Sequence, residues 1–325
     1  MASEFDIIRK HFSFSSPAQA NDVLLGVGDD AAMLASHEDR LIVASDTLVE
    51  GVHFLAGTAP ENIAHRAVAV NVSDFAAMGA NPRWCTLSLT IPDNDPDWLS
   101  SFSQALASDL DSHGIALVGG DTCHGPMNIS LTMIGEPNGN GEVLQRSGAL
   151  AGDDIWVSGV LGESAIGLAL QKGSEQFAAL SASEKARYLA AFHSPEPRLS
   201  LGQGLLGLAN AAMDISDGLL ADAAHLARQS GVCIAVQRNL IPVPEALDDL
   251  SSEEAIQLAI SGDDYELLFS VSADRRLEVL DLAEQLRLPL TRVGEAVHAS
   301  AADGWVMLMD GERQLALPDA GYRHF

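Results

Sequence analysis

At five separated places in this chain, acidic residues lie at one end or the other of a short apolar run, and the chemistry they share is holding a cation. The first place is Gly26-Val27-Gly28-Asp29-Asp30 after Val23 to Leu25. The second is Ala44-Ser45-Asp46-Thr47 at the end of Leu41 to Ala44, with His53 seven residues beyond Asp46. Gly119-Gly120-Asp121-Thr122 follows Ile115 to Val118, and Asp214-Ile215-Ser216-Asp217-Gly218 follows Ala211 to Met213. Ser261-Gly262-Asp263-Asp264-Tyr265-Glu266 runs into Leu267 to Val271. Short apolar runs bounded by such residues read as buried strands. Carboxylates gathered at neighbouring strand ends repel one another unless a cation joins them. All-oxygen ligands suit Mg2+, which keeps some of its waters and bridges to phosphates. The expectation is a magnesium–phosphate site.

Each place also has an ordinary reading. An Asp-Gly turn is often a solvated loop. Gly26 to Ala31 fits the dinucleotide pattern G-x-G-x-x-A, although two aspartates facing a pyrophosphate would repel it. Ser216 and Asp217 lie where a helix N-cap is expected, but capping explains one of them and not both aspartates. Asp74 shares a helix face with Asn71, in a helix expected from Pro60 to Gly79 and apolar nearly all round. A carboxylate there is costly unless paired, for instance with Arg66, or bound to metal. Arg146 suits bidentate phosphate contact and is otherwise a surface residue.

The elements that must position these residues alternate. Strands are expected at Trp84 to Ile91, Met127 to Ile134, Ile155 to Ser158, Cys233 to Val236, Thr291 to Val297 and Trp305 to Met309. Helices are expected at Asp97 to His113, Ser164 to Lys172, Glu184 to Phe192, Arg198 to Ala209, Leu219 to Gln229, Glu253 to Ile260 and Ala273 to Leu286. The pattern is α/β or α+β, in two domains, 1–148 and 149–325, joined near Gly148 to Asp153. Asp153 and Asp154 are expected in a solvated turn. There is no Walker P-loop, zinc-ligand spacing, G-x-S-x-G nucleophile or protein-kinase set.

Composition narrows the partners. The 325 residues carry a formal charge of −27, from 18 basic and 45 acidic residues. Such a field repels nucleic acid and an anionic membrane face, and it admits a nucleotide only together with cations. No apolar span reaches membrane length, and Met1 to Phe14 lacks the apolar core of a secretion signal. Three scattered cysteines argue against a disulfide framework. A cytoplasmic home is expected.

The strings GVGDDAAML, SDTLVEGVHF, AVNVSDFAAMGA, GGDT, RSGA, DISDGL, SGDDYEL and the terminal GYRHF occur in this order. Across essentially its whole length the chain resembles the thiamine-monophosphate kinases. That family belongs to a superfamily with aminoimidazole ribonucleotide synthetase and selenophosphate synthetase. The reactive residue of the selenium enzymes lies near their N-terminus, whereas the first cysteine here is Cys85. The resemblance implies an N-terminal domain whose sheet pairs across a homodimer, a C-terminal α/β domain, and ATP with several Mg2+ between them. It implies Asp30, Ser45, Asp46, Asp74, Asp121, Asp214 and Asp217 as magnesium ligands, and Gly120, Asp121, Arg146 and Ser216 as ATP contacts. His53, Asp263 and Tyr322 fall on the thiamine phosphate side. Two positions depart from the family: Ala44 where Ser or Thr is more usual, and Asp263 where Glu is common. The implied reaction is direct in-line transfer of the γ-phosphoryl group, with no dedicated general base. The alternatives are another ATP-dependent synthetase of the superfamily and a non-enzymatic acidic metal-binding protein.

Overall fold

The computed structural model describes residues 7–13, 22–25, 32–36, 40–138, 141–244, 251–299 and 304–318. The chain divides into two compact units, 1–75 with 80–142, and 76–79 with 143–325.

In the first unit, β1 (Val23–Leu25) and β2 (Met33–Leu34) form a short antiparallel ribbon. Strand β3 (Ile42–Val49) leads by a turn to helix α1 (Pro60–Met78). Proline suits a first helical position, which needs no donor, and Gly79, at φ 64, closes the helix. Strand β4 (Asn81–Ile91), helix α2 (Pro96–Ser112), β5 (Ala116–His124) and β6 (Asn128–Glu136) follow. The Asp95 carboxylate caps α2 by accepting the N–H groups of Asp97 and Trp98. The sheet order is β3-β6-β4-β5, with only β4 and β5 parallel. Alternation separates its faces. Leu48, Leu131 and Leu87 are buried on one face, whereas Ser45, Thr47, Ser88 and Asp121 are exposed on the other.

The second unit comprises β7 (Asp153–Ser158), α3 (Glu163–Gln171), α4 (Ala182–His193), α5 (Leu199–Gly204), β8 (Ala211–Asp214), α6 (Leu219–Ser230) and β9 (Val232–Gln237). It continues with α7 (Ser252–Ala259), β10 (Leu267–Ser272), α8 (Arg276–Leu286), β11 (Leu290–His298), β12 (Val306–Asp310) and β13 (Arg313–Leu315). Its sheet runs β13-β12-β9-β11-β7-β10-β8, antiparallel except for β12 with β9. Ile155 and Val157 pack into one core with Leu219 and Leu226 of α6. Trp156 packs into another with Leu201 of α5 and Val279 of α8. Strand β7 is thus buried on both sides, and its sequence shows a continuous apolar run where a half-exposed strand would alternate.

Four local expectations are corrected. Asp153 and Asp154 lie within β7, at 2% and 1% exposure, and Asp154 is paired with Arg276 and Arg292. Strand β3 runs straight through Ala44-Ser45-Asp46-Thr47, and β5 runs through Gly119 to Thr122. Each of these residues has a ladder partner, as Asp46 has Leu131 and Asp121 has Ser88, and pairing overrides the turn preference of Gly and Asp. Helix α5 stops at Gly204 within a glycine-rich stretch, short of Ala209.

Candidate active site

In the first unit, Asp46 is fixed through its backbone. Its N–H donates to Asn71 Oδ1 of α1 at 3.2 Å, and Asn71 Nδ2 donates to the Ala67 carbonyl at 2.9 Å. The fully buried Asn71 therefore ties helix to strand, and Asp74, half-buried, lies one turn further along. Ser45 Oγ donates to the Leu131 carbonyl at 3.1 Å and lies 3.0 Å from Thr132 Oγ1. His53 Nδ1 accepts the Val49 N–H at 3.1 Å, which holds the ring against the end of β3. Gly120 sits at φ 151, and a Cβ there would lie 1.9 Å from the Leu87 carbonyl oxygen, so the close strand approach beside Asp121 requires glycine.

The register sorts these residues. Asp46, Leu131, Leu87 and Gly120 form one transverse row, and Thr47, Ser130, Ser88 and Asp121 form the next. Adjacent rows point to opposite faces. Asp46 and Asp121 are therefore three strand spacings apart, about 14 Å, and on different faces. One Mg2+, with ligands at roughly 2.1 Å, does not bind both within one chain.

In the second unit the acidic residues are closer. Asp214 ends β8 at 5% exposure. Asp222, in the first turn of α6, accepts the N–H groups of Asp217 and Gly218 through Oδ2 at 3.0 and 3.1 Å. Burial, together with the nearby Asp214 and Asp217, pushes its carboxyl up to about 8. Carboxylates crowded in this way fit a cation, with Asp214 and Asp217 as the candidate ligands. Among the described residues, no three His, Cys, Asp or Glu side chains group closely enough to form a metal site by themselves, so an ion here needs further oxygens such as those of phosphates.

The fifth acidic segment is stitched to this one. The Asp263 N–H donates to the Ser216 carbonyl, the Tyr265 N–H to the Ile215 carbonyl and the Ile215 N–H to the Glu266 carbonyl, each at 2.8 Å. Asp263 and Tyr265 adopt left-handed backbones, at φ 66 and 52, a conformation uncommon for residues other than glycine. Behind them Glu266 accepts Arg198 Nε at 2.7 Å, Arg198 Nη2 at 2.6 Å and Ser158 Oγ at 2.5 Å. Arg146 is exposed in this unit, and its carbonyl accepts the Ser230 hydroxyl at 3.0 Å. Asp30 and Tyr322 lie outside the described residues. Asp222 and the Arg198–Glu266 pair were not expected from the sequence. The one signal for Asp222 was a second acid five residues after Asp217, in the first turn of the predicted helix.

The model of the AIR synthase related protein N-terminal domain matches residues 28–136, and that of the C-terminal domain matches residues 151–305. The thiamine-monophosphate kinase of Escherichia coli K12 is 41% identical over 327 residues, covering 99% of this chain and 98% of that one. The chain belongs to the thiamine-monophosphate kinase family. A family member from Bacillus subtilis is 32% identical, with 99% of each chain covered. The crystal structure of the Stenotrophomonas maltophilia K279a enzyme is 42% identical, with a TM-score of 0.80, covering 89% of this chain and 92% of that one. AaThiL, solved in complex with AMPPCP and TMP, is 30% identical, with a TM-score of 0.74 and 92% of each chain covered. The hydrogenase maturation protein HypE in complex with ATP shares the fold at 21% identity and a TM-score of 0.75, covering 98% of this chain and 96% of that one.

Proposed function

We propose that this chain is a thiamine-monophosphate kinase, transferring the γ-phosphoryl group of ATP to the phosphate of thiamine monophosphate. The observation that carries the reading is full-length likeness to chains of that name, with a relative solved holding an ATP analogue and TMP. The acidic composition supports it, since two phosphate-bearing substrates approach a chain of charge −27 only with cations.

In this reading Asp30, Ser45, Asp46, Asp74, Asp121, Asp214 and Asp217 hold several Mg2+ ions with the substrates. When bound, Mg2+ would supply positive charge that offsets the charge of the two phosphate-bearing substrates. The all-oxygen donors and the crowding at Asp214, Asp217 and Asp222 support such ions. Gly120, Asp121, Arg146 and Ser216 contact ATP. His53, Asp263 and Tyr322 face the acceptor. The acceptor phosphate is already ionised near neutral pH, so no side chain needs to remove a proton. Positioning and fixed electrostatics suffice for in-line transfer.

The reading includes a homodimer formed through the open sheet face. Val43, at 62%, and Ser45, Thr47 and Ser88 are exposed there beside the carboxylate of Asp121, and interface cores are depleted of charged residues. Sedimentation at micromolar concentration tests this, and a monomer would reject it. A cytoplasmic site of action agrees with three free cysteines. The reaction is tested by incubating the protein with ATP, MgCl2 and thiamine monophosphate under phosphorus NMR. Diphosphate-ester signals of thiamine diphosphate are expected, and their absence would reject the kinase reading.

A further inference from the structure

Asn71 is 1% exposed, in a stretch of α1 where Val68, Val72 and Phe75 are apolar and buried. Its amide has one orientation that satisfies both partners, because the Asp46 N–H can only donate and the Ala67 carbonyl can only accept. An apolar side chain of this shape would pack there about as well, since two hydrogen bonds offset little more than the desolvation of the amide. What the amide adds is direction more than strength.

That direction concerns two candidate metal ligands. Strand β3 lies at the edge of its sheet beside β6, and the Asp46 N–H finds its partner in the Asn71 side chain. Asp46 shares a sheet face with Leu131 and Gly135, alternate positions of β6. Helix α1 covers that face. The Phe75 ring fills the space that a side chain at 135 would need, only 2.4 Å from where its Cβ would stand. The helix is thus held at two points, by the Asn71 amide on β3 and by the Phe75 ring on β6. Asp74 falls between them in sequence, three residues after Asn71 and on the same side of the helix. Asp46 and Asp74, both half-buried, therefore belong to facing elements, where a shared cation relieves their repulsion.

We propose that Asn71 is a positioning residue for this pair. Its amide fixes how Asp74 of α1 stands against Asp46 of β3, and so how tightly the two take a divalent cation. The role suits a neutral side chain, since Asp at this position would keep the acceptor but bring a third carboxylate to the pair. The inference rests on the kinase reading and adds to it a residue that acts through the ligands and not on the substrates.

The test compares the whole protein with two variants. Asn71→Leu keeps the shape and removes both hydrogen bonds. In Asn71→Ser the short hydroxyl can return to the Ala67 carbonyl but leaves the Asp46 N–H to water. Binding of Mn2+ in the presence of AMPPCP, followed by electron paramagnetic resonance of the free ion, reads the metal site without turnover. Both variants should bind Mn2+ about fivefold or more weakly, the order of one lost hydrogen bond. Half-maximal activity should need correspondingly more Mg2+, with the KM for thiamine monophosphate within about twofold of wild type. Leu106→Val, a core change on α2, controls for lost stability and should bind Mn2+ as the wild type does. Wild-type Mn2+ affinity in a folded Asn71→Leu protein overturns the inference, as does an equal loss of affinity in Leu106→Val. If Asn71→Leu does not fold, wild-type affinity in Asn71→Ser overturns it. A wild type that binds Mn2+ but forms no thiamine diphosphate rejects the kinase reading instead, and the comparison of variants still decides the role of Asn71.

Discussion

Asp222 Oδ2 receives the backbone N–H of Asp217 at 3.0 Å, with the Gly218 N–H alongside at 3.1 Å. The turn carrying the candidate metal ligands is thus held from inside the helix that follows it. Asp222→Ala would strand two largely buried donors, at about 1–3 kcal/mol each. Urea denaturation should show that loss, and half-maximal activity should need more Mg2+. Asp222→Asn keeps one acceptor oxygen and should be the milder change.

Asp46 and Asp121 lie in different rows of one sheet, and each serves its own part of the phosphate cluster in the proposed reaction. Asp46→Asn and Asp121→Asn should each lower kcat/KM at least a hundredfold, about 3 kcal/mol in transition-state stabilisation, with melting curves matching the wild type. Full activity in both would remove the metal argument.

The Arg198–Glu266 pair is two-pronged and largely buried, with side chains 16% and 7% exposed. Arg198→Ala leaves a buried carboxylate without its cation and should cost about 3–5 kcal/mol. The urea midpoint reads that loss.

Burial alone would raise the Asp154 carboxyl, but hydrogen bonds and charge from Arg276 and Arg292 outweigh it and hold it below its ordinary 3.8. Its folded-state pKa is the lower one, so its stabilisation is complete above 3.8 and is lost as pH falls through the folded value. Wild-type stability should therefore drop more steeply below pH 4 than that of Asp154→Asn, which lacks this group. Chemical denaturation from roughly pH 2 to pH 5, a window that spans the fall through a lowered carboxylate pKa, compares the two slopes.

Much of this was legible in the residues. Pro60 and Gly79 marked the ends of α1, and most strands were located because apolar runs bounded by turn residues are local signals, but β2 and β13 were not expected and β3 and β5 run five and six residues past their expected ends. Asp154 was misread because its partners Arg276 and Arg292 lie more than a hundred residues away, and Asp153 because its Oδ2 accepts the side-chain amide of the distant Asn210. Asp46 and Asp121 were assigned to turns because their ladder partners come from other strands. The row and face of each carboxylate depend on register, which no single segment contains. The Arg198–Glu266 contact, 68 residues apart in sequence, was invisible for the same reason.

The backbone stitching of residues 215–216 to 263–266 bears on how such a chain can vary. An inserted residue in either segment would break three carbonyl contacts together and force Asp263 or Tyr265 out of its left-handed backbone. The Asp214-to-Asp217 and Asp263-to-Glu266 spacings are therefore set by each other, and changes in length belong to connectors that carry none of this ladder.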